Sequence, residues 1–201
     1  MHPTKQRLIE VTNTIYEKQA LHTITAELVL RESGVTKGSL YHHFQDFSDL
    51  IEHVLVLRHE TFASLELSAM NLEIDGSSGI ETARARLFTA LRNRQDSTSS
   101  SDRSERALIL SQSLTNQRLS AKILVVDERI TQLWMALYSS CAHRGWTSSY
   151  LDPRSVSAVI QGAIFGRVFI DLQFEELAME NWMVIVEAVA DRLYFSNRIA
   201  V

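Results

Sequence analysis

Between Thr36 and His42 the chain sets out a compact group of side chains suited to hydrogen bonding with an anionic polymer. Lys37 can meet a phosphate or the paired acceptors of a guanine edge, and the hydroxyls of Thr36 and Ser39 can bond phosphate or base. Tyr41 and His42 add two longer polar reaches, and Gly38 lets the backbone approach its target closely. Other polar sets are thinner. Asp49 and His53 stand four residues apart, a spacing compatible with a shared metal ion, but two ligands fall short of a site and an exposed helix face accounts for them more simply. No nucleophile, base and orienting group occur together, and there is neither a glycine-rich phosphate loop nor a Cys/His cluster. The sequence therefore names no enzyme, cofactor or metal site.

The elements that must position the first group can be read locally. Leu8, Val11, Thr12 and Ile15 recur at helical spacing and predict a helix from Thr4 to about Gln19. Thr25 is a good N-cap for a short helix, Ala26 to Ser33, whose Leu28 and Leu30 are expected to face inward. Gly34 stops it where a left-handed residue is needed. After Val35 as the turn residue, Thr36 caps a third helix, Lys37 to Phe44, anchored by Leu40. Two short helices, a tight turn and an exposed first turn on the second helix are what a helix-turn-helix requires to place side chains in a major groove. The caps at Thr25, Thr36 and Asp46 expose helix N-termini, which attract phosphates without net basic charge.

That last point matters because charge alone argues the other way. The chain carries −4 overall, and residues 1 to 60 hold six Lys/Arg against eight Asp/Glu, so no basic patch announces a nucleic-acid partner. Hydrophobic residues make up 45% of 201, with only 7 Gly and 2 Pro, which favours an all-α fold. No signal peptide opens the chain and no apolar run reaches the roughly 18 residues that span a bilayer, so a cytoplasmic protein with no membrane partner is expected. The lone Cys141, in an apolar helical run, fits a buried thiol in a reducing compartment.

Asp46 and Asp49 have the spacing of an acidic capping box and open a long helix to about Met70. Asn71 to Gly79 is the best linker. Further helices start near Ser78 and Asp102, separated by the polar run Asp96 to Ser101, and a long one covers Leu119 to Ala142, ended by Gly145. Asp152-Pro153 opens a helix to about Phe174, and a last one spans Asn181 to about Ser196. The final two are apolar on more than one side, which predicts burial against both the core and a second copy, in a homodimer through 153–174 and 181–196. Gly162 and Gly166 have the spacing of a close helix contact, a pattern common by chance. Phe62, Phe88, Trp134, Tyr138, Phe165 and Phe169 lie mid-helix and are candidate ligand-binding residues, although core packing accounts for each as well.

The run from Gly34 to Phe44, Gly-Val-Thr-Lys-Gly-Ser-Leu-Tyr-His-His-Phe, followed by Asp49-Leu50, resembles the signature of the TetR family of bacterial transcriptional repressors over about 45 residues. The resemblance implies a three-helix DNA-binding domain over 1–46 and a fourth helix leading into an all-α ligand-binding and dimerisation domain over 47–201. It implies a homodimer on a palindromic operator, and repression relieved by a small-molecule effector. By the same likeness Thr25, Thr36, Lys37, Gly38, Ser39, Tyr41 and His42 are DNA-contacting positions. One position departs from it: Phe47 stands where many members carry a phosphate-binding Lys. With the acidic N-terminal segment, this keeps a second reading open, a helical small-molecule-binding or protein-interaction module whose helix-turn-helix is degenerate.

Overall fold

A computed structural model of the chain describes residues 2–63, 76–95, 100–147, 150–173 and 179–196, and among them every regular element is helical. The order is α1 (Pro3–Tyr16), a 3₁₀ turn (Leu21–Thr23), α2 (Ala26–Ser33), α3 (Lys37–His43), α4 (Phe47–Ala63), α5 (Ile80–Gln95), α6 (Ser100–Ser113), α7 (Gln117–His143), α8 (Pro153–Phe165), α9 (Arg167–Gln173) and α10 (Met179–Tyr194). The continuation of the fourth helix to Met70, most of the linker Asn71 to Gly79 and the first part of the run Asp96 to Ser101 lie outside the described residues.

The helix starts follow from local capping. Thr25 Oγ1 accepts from the Leu28 amide at 3.2 Å and Thr36 Oγ1 from the Ser39 amide at 3.2 Å. At α4 the acidic box closes in both directions: the Asp49 amide donates to Asp46 Oδ1 at 2.7 Å, and the Gln45 amide donates to Asp49 Oδ2 at 3.0 Å. Asn116 caps α7 and Asp152 caps α8 in the same way. Gly34 ends α2 with φ +67°, its amide bonded to the Leu30 carbonyl at 3.0 Å.

Three hydrophobic clusters hold the elements. Leu8, Ile9, Ile24, Val29, Leu40, Phe44, Leu50 and Val54 form the N-terminal core. Val29 is its contribution from α2, while Leu28 and Leu30, expected inside, are only half-buried. A second cluster, Leu55, Ile109, Leu119 and Ile123 with Tyr16 and Leu21 against it, joins α1 and α4 to α6 and α7. The largest lies in the C-terminal body, where Leu87, Trp134, Leu137, Tyr138, Ile160, Met183 and Tyr194 are buried. Each such side chain contributes about 1.5–3 kcal/mol of burial free energy.

The helix expected to run unbroken from Pro153 is divided at Gly166 into α8 and α9. Gly166 has an inward reason to be glycine: a Cβ there would meet the Gly162 carbonyl at 3.2 Å and the Trp182 ring of α10 at 3.3 Å. The close approach in this Gly-x-x-x-Gly pair is thus partly intramolecular.

The positive φ at Gly34 gives a direct test. Gly34→Ala forces a side chain into the left-handed region and is expected to cost about 1–2 kcal/mol. It should lower the denaturant midpoint of unfolding with little change in slope.

Candidate nucleic-acid interface

The helix-turn-helix is built by tying α2 and α3 to α1. Arg7 Nε donates to the Ser33 carbonyl at 2.7 Å, and the Ser33 hydroxyl accepts from the Val35 amide at 3.2 Å, so the turn around Gly34 is braced from both sides. Leu40 and Phe44 fasten the inner face of α3 to the core. The outer face then carries what the sequence indicated. Thr25, Thr36, Lys37, Gly38 and His42 are exposed, Ser39 is half-buried, and Tyr41 is 45% exposed despite its size. Thr36 Oγ1 also donates to Ser39 Oγ at 3.1 Å, which fixes the two hydroxyls side by side. A Cβ on Gly38 would touch nothing within 4 Å and its φ is ordinary, so nothing inside the chain requires glycine there.

His42 and His43, adjacent in sequence, also stay in contact through their rings. Their rings lie 5.0 Å apart edge to face, and His2, the N-cap of α1, stacks on His43 at 4.6 Å. Partial desolvation, then the charges of His2, His42 and Lys5, hold the His43 imidazole below 6.5. Lys5 sits over the Phe44 ring at 5.1 Å.

Phe47 is half-buried against the N-terminal core. The acidic residues around it are paired from across the molecule. Arg118 of α7 donates to both Asp46 oxygens at 3.0 Å and to Glu52 Oε2 at 2.7 Å, and Lys122 bonds Asp49 and Glu52. Arg129 pairs with Glu60 further along. Counting these three cations with residues 1 to 60, together with Glu105 and Asp127, which pair with Arg58 and His59, moves the formal charge from −2 to −1. No pattern within residues 1 to 60 could have signalled this, because the partners lie about 70 positions away. Asp49 and His53 belong to this seam. His53 Nδ1 is 2.8 Å from the Asp49 carbonyl, and among the described residues no group of three His, Cys, Asp or Glu could hold a metal ion.

The ligand candidates are dispersed. Trp134 and Tyr138 are buried, and both contact the Tyr194 ring, at 6.3 and 6.1 Å, a residue sequence reasoning missed because a tyrosine near a helix end looks like surface. The Tyr194 hydroxyl is buried without a partner, and burial raises its pKa well above 10. Phe88 is half-buried against the same cluster, and Phe165 is half-buried with the Arg106 guanidinium 5.8 Å from its ring. Phe169 is 62% exposed on the outside of α9, so it does not join the others. The Phe62 side chain lies outside the described residues.

A helical chain whose N-terminal helix-turn-helix stands on its own small core, joined by one long helix to a larger helical body, has the build of a helix-turn-helix regulator. Its fold is that of the TetR-family transcriptional regulators. A structure described as a TetR-family transcriptional regulator from Mesorhizobium loti MAFF303099 superposes with a TM-score of 0.69 over 94% of this chain and 93% of that one, at 13% identity. In sequence the chain is 30% identical over 64 residues to the HTH-type transcriptional regulator AcrR of Shigella flexneri, and 23% identical over 174 residues to the HTH-type transcriptional regulator SrpR of Pseudomonas putida. The AcrR match takes in 32% of this chain and only 30% of AcrR, whereas the SrpR match takes in 86% and 77%. No family model matches the chain. Both relatives are transcriptional regulators, and no helix among the described residues is long and apolar enough to cross a membrane.

The α4–α7 seam makes a pH prediction. Burial, then the Lys122 and Lys5 charges, lower the His53 pKa from 6.5 against the pull of Asp49. Burial raises Asp49 and Glu52, but bonds from Lys122, Arg118, Asn116 and the Gln45 amide outweigh it, and Arg118 with the Asp49 amide lowers Asp46. Groups with depressed pKa values bind fewer protons folded than unfolded, so stability rises with pH, first below about 4 for the carboxyls and again just below 6.5 for His53. The melting temperature should climb from pH 5 to 7, and His53→Gln should flatten that climb.

Proposed function

We propose that the chain is a DNA-binding transcriptional regulator, a repressor that holds a palindromic operator as a homodimer and is released when a small molecule occupies the C-terminal body. The observation that carries this reading is the outer face of α3, where Thr36, Lys37, Gly38, Ser39, Tyr41 and His42 are held outward by Leu40 and Phe44 beneath them. Thr25 at the start of α2 adds a second exposed helix N-terminus for a phosphate. Pairing of the α4 carboxylates with α7 cations removes much of the repulsion that the sequence charge implies.

Dimerisation is supported by an apolar face that the single chain leaves open. Val159 of α8 is 53% exposed and Val184 and Ile185 of α10 are each 60% exposed, with Gly162 and Ala188 exposed beside them. Such a face pairs with a copy of itself across a two-fold axis. The two recognition helices must then lie roughly 34–36 Å apart to enter successive major grooves. A ligand that binds better to a differently spaced dimer lowers operator affinity by its differential affinity. The rival reading, a helical binding module with a degenerate helix-turn-helix, draws on Phe47 being packed inward, where it can supply no cation.

Mobility shift on the DNA flanking its own gene separates the two, since the degenerate module should not prefer any palindrome over random sequence. Lys37→Ala and Tyr41→Ala should each weaken operator binding by about 1–3 kcal/mol, roughly 5- to 150-fold, with the dimer mass unchanged. Ile185→Glu should yield a monomer by light scattering and lose operator binding with it. Affinity should fall only shallowly with salt, because few cations are free to displace counterions.

A further inference from the structure

Two arginines converge on one carboxylate deep in the C-terminal body. Arg103, near the start of α6, donates from Nε and Nη2 to the Asp171 oxygens at 2.6 and 3.0 Å. Arg167, at the start of α9, reaches the same carboxylate one helical turn away, with a single longer bond from Nε at 3.3 Å. All three side chains are more than nine-tenths buried. Asp171 is thus already spanned by the fork of Arg103 when Arg167 meets it, and Arg167 Nη1 is buried with no hydrogen-bond partner.

A guanidinium cannot escape this by losing its proton, and a buried cation short of acceptors is unfavourable. The buried polar side chain that reaches the end of α8 is already committed. Gln95, fully buried, uses its amide nitrogen on the Ile164 carbonyl at 3.0 Å and its oxygen on Trp182 Nε1 at 2.9 Å. Trp182 closes on Gly166, the residue before Arg167, and the half-buried Phe165 precedes that. The setting is one of aromatic surface beside an unmatched cationic edge, and the group that suits a planar guanidinium edge is a carboxylate or phosphate.

We propose that Arg167 is the anion-binding end of the effector site, and that the effector is an organic anion whose carboxylate or phosphate meets Arg167 Nη1 while an apolar body lies against Phe165 and Trp182. Arg103 is a positioning residue that holds Asp171 and thereby the orientation of Arg167. The proposal rests on the reading that the C-terminal body takes an effector.

Calorimetric titration of the full chain with decanoate, decyl phosphate and decanol, each below its micellar concentration, tests it. At least one of the two anions should bind at least tenfold more tightly than decanol, and which one does so identifies the head group. Arg167→Met should abolish that advantage while leaving decanol binding unchanged; if it fails to fold, Arg167→Gln is read in its place. Equal binding of anion and alcohol, undiminished anion binding in the variant, or no anion binding to the unaltered chain would each overturn the proposal. Mobility shift of the unaltered chain on its flanking DNA, without additive, is read separately. Shifted DNA with no anion binding removes the anion site alone, and anion binding without shifted DNA removes the regulator reading alone.

Discussion

Helix α4 has to belong to two cores at once, and most of the architecture answers to that constraint. Its first turns give Leu50 and Val54 to the small N-terminal core, while Leu55, one residue on, already sits in the cluster with Ile109, Leu119 and Ile123. Between these apolar contacts, Asp49 and Glu52 meet Lys122 and Arg118, and beyond them Arg58 reaches Glu105 and Asn13 while the buried His59 bonds Asp127 at 2.7 Å. Breaking one side of a buried ion pair is costly, because the other side stays behind uncompensated. Packed side chains and paired charges thus tie the N-terminal unit to α4 and through it to α6 and α7.

The same helix explains why net charge misleads here. A count along residues 1 to 60 treats the segment as if it met DNA alone. In three dimensions its acidic residues at 46, 49, 52 and 60 are paired with cations of the N-terminal half of α7. The carboxylates serve as the adhesive between the two units and leave the hydroxyls, Lys37 and helix N-termini of the outer face to define its chemistry.

What could be read from the sequence was whatever is decided within about four residues. The caps at Thr25, Thr36, Asp46 and Asp152 and the left-handed Gly34 depend on neighbouring amides, and each stands where its residue type places it. Long-range choices were not legible. Leu28, Val29 and Leu30 are all apolar, and only the position of α1 selects Val29 for the core. Phe169 has the type of a pocket residue, yet the division at Gly166 and the direction of α9 leave it outside. Arg103, Arg167 and Asp171 look like three solvated charges until α6 and α9 are brought together.

The aromatic residues are unevenly shared between the two units. All three tryptophans, Trp134, Trp146 and Trp182, belong to the C-terminal body, and the segment up to His43 has none, only Tyr16 and Tyr41. Trp134 is buried beside Tyr194, Trp146 stacks near Phe195 at 6.3 Å, and Trp182 is tied to Gln95. Tryptophan emission from the unlabelled molecule therefore comes from one unit alone. The other contributes little in the tryptophan band, so rearrangements in the helical body can be followed without interference from the helix-turn-helix unit.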